Sequence, residues 1–312
     1  MLKEMNKYRP AIKPLLIGCL FIIFYILLIF FLPDHSNSQL MDKLTNLEYK
    51  EALFLVQIPA MIVWLLAFYA YSRLNSYAIT LKKTPSYKAL KTLSKGILLL
   101  ALSMPISSIL SRFLNLFEGY NQTFYHVTII ITNYINLFLP FAAFIIIYYS
   151  AKKITHRAQI NYSLASSKFL ILIYVVAGVI YSYETLKAFS GNSLISINNV
   201  YHLPVFIFII TILIPYLYSW FIGLTTSYDI NAFATKLVGV IYRRALYFIS
   251  LGLATVIISL IASQYVTTIT PTYGHLAFNF HTILSIVFKV ITGIGFYLLA
   301  HGANKLIKIE EL

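Results

Sequence analysis

The chain has 312 residues, of which 59% are hydrophobic and only 11% charged, and its mean hydropathy is +0.78. That balance excludes a water-soluble globular domain and predicts an all-α polytopic integral membrane protein. A formal charge of +14 would suit nucleic acid, but the Lys and Arg residues sit between apolar runs, where they report orientation instead.

A helix needs about 20 apolar residues to cross a hydrocarbon core of about 30 Å, and eight runs in the sequence qualify. Span 1, roughly Leu15 to Leu32, follows a basic leader punctuated at Arg9-Pro10 and Lys13-Pro14 and ends at Pro33-Asp34. Leu16-Ile-Gly-Cys19 resembles a lipoprotein cleavage box, but a signal peptide has its apolar region before the cut and here it follows, so the span is expected to be retained. The loop to Glu51 carries Asp34, Asp42 and Glu48. Span 2, Leu53 to Tyr71, has Pro59 about two turns in, where a missing backbone donor predicts a bend. Asn75 then reads as the N-cap of a short interfacial helix. Lys82, Lys83, Lys88, Lys91 and Lys95, interleaved with Tyr77 and Tyr87, suit anionic lipid headgroups or a docking partner.

Span 3, Gly96 to Phe113, carries Ser103, Ser107 and Ser111 at four-residue spacing, a pattern that lets helices approach closely, and Pro105 near its middle. Span 4, Val127 to Tyr149, opens beside His126 and contains Asn133 and Asn136. Span 5, Phe169 to Phe189, holds Glu184, with Lys187 one turn on as its local partner. Span 6, Leu203 to Leu224, has Pro215 and is followed by Asn231, a second predicted cap. Span 7, Ala245 to Val266, repeats the serine spacing at Ser259 and Ser263. Span 8, Phe280 to Ala300, begins beside His281 and carries Lys289 about ten residues in.

Sliding the chain 156 positions along itself superposes Ile58-Pro59 and Trp64 on Ile214-Pro215 and Trp220, and the register holds through Asn75/Asn231, Lys88/Arg244, Gly96/Gly252 and Ser107/Ser263. Twelve of these 50 positions are identical without a gap, which predicts an internal duplication. Residues 1–156 and 157–312 then form two tandem four-helix repeats. An even number of crossings in each gives both repeats the same orientation. Assigning loops alternately puts 19 of the 24 Lys and Arg on the side of both termini, so the positive-inside rule predicts cytoplasmic termini. The Ile-, Tyr- and Lys-rich usage is compatible with a bacterial inner-membrane protein.

Chemistry-bearing residues are few. A charge at the midplane costs at least about 2.5–3.5 kcal/mol on insertion scales and marks a functional site by default, so Lys289 stands out. The offset lays Asn133 on it, with Asn136 one turn further. Lys289, Asn133, Asn136 and Glu184 are therefore the candidate solute-binding residues, lining a cavity between the repeats. The competing reading has Lys289 snorkelling and Glu184 paired with Lys187. His126 and His281 are weak candidates for a metal, since no two histidines stand three or four apart. The single Cys19 forms no intramolecular disulfide, and no nucleotide, metalloprotease or nucleophile-elbow motif occurs. Nothing in the sequence calls for a cofactor, and an enzyme is unmotivated. By fold-level analogy, same-orientation repeats resemble the halves of several secondary transporters. The leading expectation is a transporter or channel-like protein for a small solute or lipid. The alternative is a non-enzymatic assembly or scaffold subunit of a membrane complex, or a homo-oligomer. An outward-facing metal protein or enzyme ranks third.

Overall fold

The computed structural model describes residues 2–31, 46–82, 84, 86–118, 139–154, 214–236, 239–269 and 274–310, with isolated positions 172, 175, 176 and 179. Every regular element among the described residues is α-helical. In chain order these are α1 (Leu2–Phe31), α2 (Asn46–Thr80), α3 (Ser86–Glu118), α4 (139–154), α5 (Ile214–Lys236), α6 (Val240–Ile269) and α7 (Gly274–Glu310).

Five of them, over Ile12–Phe31, Phe54–Thr80, Ser86–Leu110, Val240–Leu260 and Ile283–Ile309, are long and apolar enough to cross a membrane. Their outward faces are apolar as well. Leu20 and Phe24 of α1 and Val287, Val290 and Ile294 of α7 are all exposed, as suits helices whose solvent is lipid. The chain is thus a helical, membrane-embedded protein. Spans 4 and 6 are described only in part, as α4 and α5, and span 5 lies outside the described residues except for the four isolated positions.

The helices run past the predicted span ends, which corrects one expectation. Asn75 and Asn231 cap no separate helix. Each lies inside a continuous one, because α2 continues to Thr80 and α5 to Lys236. Asparagine in a helix interior costs well under about 1 kcal/mol, and Asn75 is held across the hairpin, its Oδ1 accepting a hydrogen bond from the Lys91 Nζ of α3. The chain reverses just beyond, where Leu81 and Lys82 donate to the carbonyls of Ala78 and Ile79 and Pro85 stands immediately before α3.

Lipid tails are as apolar as leucine, so helices in a bilayer associate through close packing and interhelical hydrogen bonds rather than by escaping water. Both devices are present. Trp64, buried at 2% exposure, meets the edge of Tyr25 at 5.3 Å, and Phe21 stacks on Phe68 at 6.2 Å, joining α1 to α2. Gly223 of α5 faces Ile257 of α6, while Gly252, Gly295 and Gly302 bring α6 and α7 to backbone contact. In the first half of the chain, Gly96 of α3 sits against Ala143 and Ile147 of α4.

Serines join α5 and α6 reciprocally. Ser227 Oγ donates to the Ser250 carbonyl and Ser250 Oγ to the Ser227 carbonyl, each at 2.7 Å. Further along, Ser259 of α6 and Thr292 of α7 share a hydrogen bond of 2.7 Å. Interhelical bonds of this kind average about 0.6 kcal/mol, with a maximum near about 1.7, and the doubled serine pair belongs at the upper end. Ser250→Ala is therefore expected to lower the unfolding free energy in detergent by about 1–2 kcal/mol. A loss no larger than that of Thr255→Ala, whose hydroxyl bonds only within α6, would refute that role.

Candidate functional site at the seam between α2 and α7

The α2 and α7 helices pack side by side, and the order of two contacts along them sets them parallel. Gly293 of α7 touches Val63 and Leu66 of α2, and further along both chains Asn304 Nδ2 donates to Tyr69 Oη at 3.1 Å. One helical turn before Gly293, on the same stripe of α7, stands Lys289. Stepping one turn back along α2 from Val63 leads to Pro59, which lies inside α2. Lys289 and Pro59 therefore face the seam at one level. Proline has no N–H, so the carbonyl of Leu55, four residues earlier, has no intrahelical donor there.

Lys289 is partly buried. Among the described residues no hydrogen bond, ion pair or ring contact reaches it. Lys289 thus sets a basic side chain one turn from the Gly293 contact, on the stripe of α7 that packs against α2.

The other candidates are not brought to it by anything described. Asn133, Asn136, Glu184, Lys187 and His126 lie outside the described residues. The His281 backbone is in the early turns of α7, and its side chain lies outside the described residues. Of the basic loop, Lys82 and Lys88 are exposed and Lys83 lies outside the described residues. Thr292, on which the 156-residue offset lays Asn136, is engaged with Ser259 in holding α6 to α7.

Two polar groups at the other end of the bundle lie off the sequence-based candidate set. Asp229, five residues past the predicted end of span 6, is buried in α5 at 5% exposure and pairs with Lys152 of α4 at 2.7 Å. Lys152 also lies over the Tyr148 ring, 5.4 Å from its centre. On α2, the Arg73 guanidinium lies over Tyr69 at 5.1 Å, and its buried Nε has no hydrogen-bond partner among the described residues. The sequence held a signal for both. The offset lays Lys152 on Lys308 and Arg73 on Asp229, so a cation in one half meets a carboxylate in the other.

No family model matches the chain, and no curated protein or solved structure matches it.

Proposed function

We propose that the protein is a transporter or channel-like protein for a small solute or lipid, with its site at the seam of α2 and α7 around Lys289. The observation that carries this reading is a partly buried cation on the seam-facing stripe of α7, level with Pro59, with no partner among the described residues. Keeping a charge at that depth without compensation costs several kcal/mol, and such residues mark solute or ion pathways.

The same reading makes the chain two tandem four-helix repeats with both termini cytoplasmic, in the inner membrane of a bacterium. Matched packing supports the duplication. Gly96 meets Ala143 as Gly252 meets Leu299, each pair being related by the same offset of 156. On that division α2 belongs to the first repeat and α7 to the second, so the seam holding Lys289 lies between them. The rival assembly-subunit reading draws on the serine stripes and on the basic loop after span 2 as partner surfaces; Lys82 and Lys88 of that loop are exposed, whereas Ser259 is buried and bonded within the chain.

Access from water tests the site before any substrate is known. In a Cys19→Ala background, which removes the single native thiol, Lys289→Cys should react with a water-soluble methanethiosulfonate reagent at least tenfold faster than Val290→Cys. Val290 is half exposed on the lipid side of α7. Equal, slow labelling at both positions would remove the hydrated cavity and the transport reading with it. Lys289→Leu should leave thermal stability unchanged or raised, since an uncompensated charge is removed, while abolishing the cellular role. A Lys289→Leu protein that keeps its role would refute the assignment.

A further inference from the structure

Beyond Lys289, the end of the α2 and α7 seam nearest the α2–α3 turn has a composition that the matching seam between α4 and α5 does not. At the α4–α5 seam Lys152, lying over the Tyr148 ring, pairs with Asp229, and cation and carboxylate close the contact. The 156-residue offset carries Lys152 to Lys308 and Asp229 to Arg73, so the corresponding place between α7 and α2 holds two cations. Direction and spacing put them together. Tyr69 and Asn304 are bonded across the seam, the two helices are parallel, and Arg73 and Lys308 each stand four residues, one turn, further on.

Nothing described neutralises them. Arg73 Nε is buried without a hydrogen-bond partner among the described residues. Lys308 is exposed. Lys305 is turned away toward α6, over the Phe248 ring at 4.5 Å.

We propose that this place holds the phosphate of an anionic phospholipid headgroup. The fit is in the parts. A guanidinium presents a planar fork of donors that matches phosphate oxygens, and an ammonium adds a point charge. The Tyr69 ring beneath Arg73 pre-orients the fork. Tyr69 Oη accepts from Asn304, which fixes the ring and leaves the phenolic proton to donate to a phosphate oxygen. The depth also suits a lipid and not a free ion. Arg73 is the twentieth residue of the apolar segment that starts at Phe54, about 30 Å along a helix, at the level where headgroups lie. This site is independent of the transport reading, which concerns the other end of the seam.

The test is native mass spectrometry of the full chain, released from detergent in the presence of phosphatidylglycerol or phosphatidylcholine. Wild type should retain one phosphatidylglycerol through activation that strips phosphatidylcholine. Arg73→Asp, which copies the composition of the α4–α5 seam, should weaken that retention about tenfold or more, as loss of charge-assisted hydrogen bonds implies. It should also keep its unfolding temperature, because the new carboxylate can pair with Lys308. If Arg73→Asp does not fold, Arg73→Gln should show the same loss of lipid. Lys236→Asp makes the same change of charge at an exposed position on α5 and should retain the lipid as wild type does. Equal retention by wild type and Arg73 variants would overturn the proposal, as would equal loss from Lys236→Asp, which would reduce the effect to surface charge. Displacement of the lipid by millimolar inorganic phosphate would assign the site to a soluble anion instead and also overturn it.

Discussion

Gly252→Val is expected to be the most damaging single substitution in the described part of the chain, leaving little folded protein. A Cβ at Gly252 would lie 2.7 Å from the Gly295 carbonyl oxygen and 2.8 Å from the Leu299 nitrogen. Both are backbone atoms of α7, so no rotamer change relieves the contact and the two helices must separate. The neighbouring glycines face the same obstacle. At Gly295 an added Cβ meets Val256 N at 2.9 Å, and at Gly302 it meets the Ala245 oxygen at 2.6 Å. Separation would forfeit dispersion contacts along the whole crossing and stretch the Ser259–Thr292 bond. Overpacking typically costs about 1–3 kcal/mol and sometimes more, and here the clash is with rigid backbone.

Alanine at Gly252 separates this clash from helix propensity. Exchanging Gly for Ala in a helix gains about 0.8–1 kcal/mol, a gain the backbone clash at Gly252 should outweigh. At Gly18 it should not be outweighed, because the atoms met there, Phe68 Cδ2 at 2.9 Å and Leu65 Cδ2 at 3.3 Å, belong to side chains that can turn. Gly96 falls between. Its closest contact is the Ile147 Cγ1 at 2.6 Å, and its nearest backbone atom, the Ala143 oxygen, is at 3.2 Å. Unfolding midpoints in detergent should therefore fall in the order Gly18→Ala, Gly96→Ala, Gly252→Ala, from least to most harmed. A Gly18→Ala protein as unstable as Gly252→Ala would show that backbone proximity is not what holds α6 to α7.

The glycines also show what a sequence read alone can and cannot supply. Gly96 and Gly252 were visible as aligned residues in a repeat, because identity at a fixed offset is written in the chain. That each is the point where two helices touch is not, since the partners lie some 43 to 51 residues away and small residues recur for many reasons. Apolar runs of spanning length were legible for the same reason that composition was, because lipid imposes one requirement on every outward residue. Helix ends were less so. Hydropathy falls where the bilayer ends, but hydrogen bonding does not, and α2 and α5 continue into polar sequence past Asn75 and Asn231. Lys289 was legible as a cation in an apolar run, and its place on the α2-facing stripe required knowing that Gly293 packs on Val63 and Leu66. The burial of Asp229 is not legible in the sequence, because the residue lies just beyond the hydropathy limit of its span and its burial depends on α4.

The Lys152–Asp229 pair should respond unequally to loss of its two members, and the inequality follows from exposure. Asp229 is 5% exposed and Lys152 24%. Removing the lysine, as in Lys152→Met, takes the paired cation away from a carboxylate that is almost wholly buried. Breaking a buried pair in this way costs about 3–5 kcal/mol. Removing the carboxylate, as in Asp229→Asn, strands an ammonium on a flexible stem that already reaches the surface and can snorkel outward. The amide also keeps the shape of the site and one acceptor oxygen, so the loss should be smaller, about 1–2 kcal/mol, as for a hydrogen bond to a charged group. Replacing both, as in Lys152→Met with Asp229→Leu, removes the desolvated charges together and should recover most of the stability lost in Lys152→Met, since apolar substitutes for buried pairs are often neutral. Unfolding midpoints of the three variants in one detergent decide the matter. Both single variants should also shift little between low and high salt, because Debye screening acts weakly on buried charge. If Asp229→Asn is the more damaging single change, the carboxylate is anchored chiefly by its other contacts within the bundle and not by Lys152. If the double variant is as unstable as Lys152→Met, the pair is not the reason that α4 and α5 hold together.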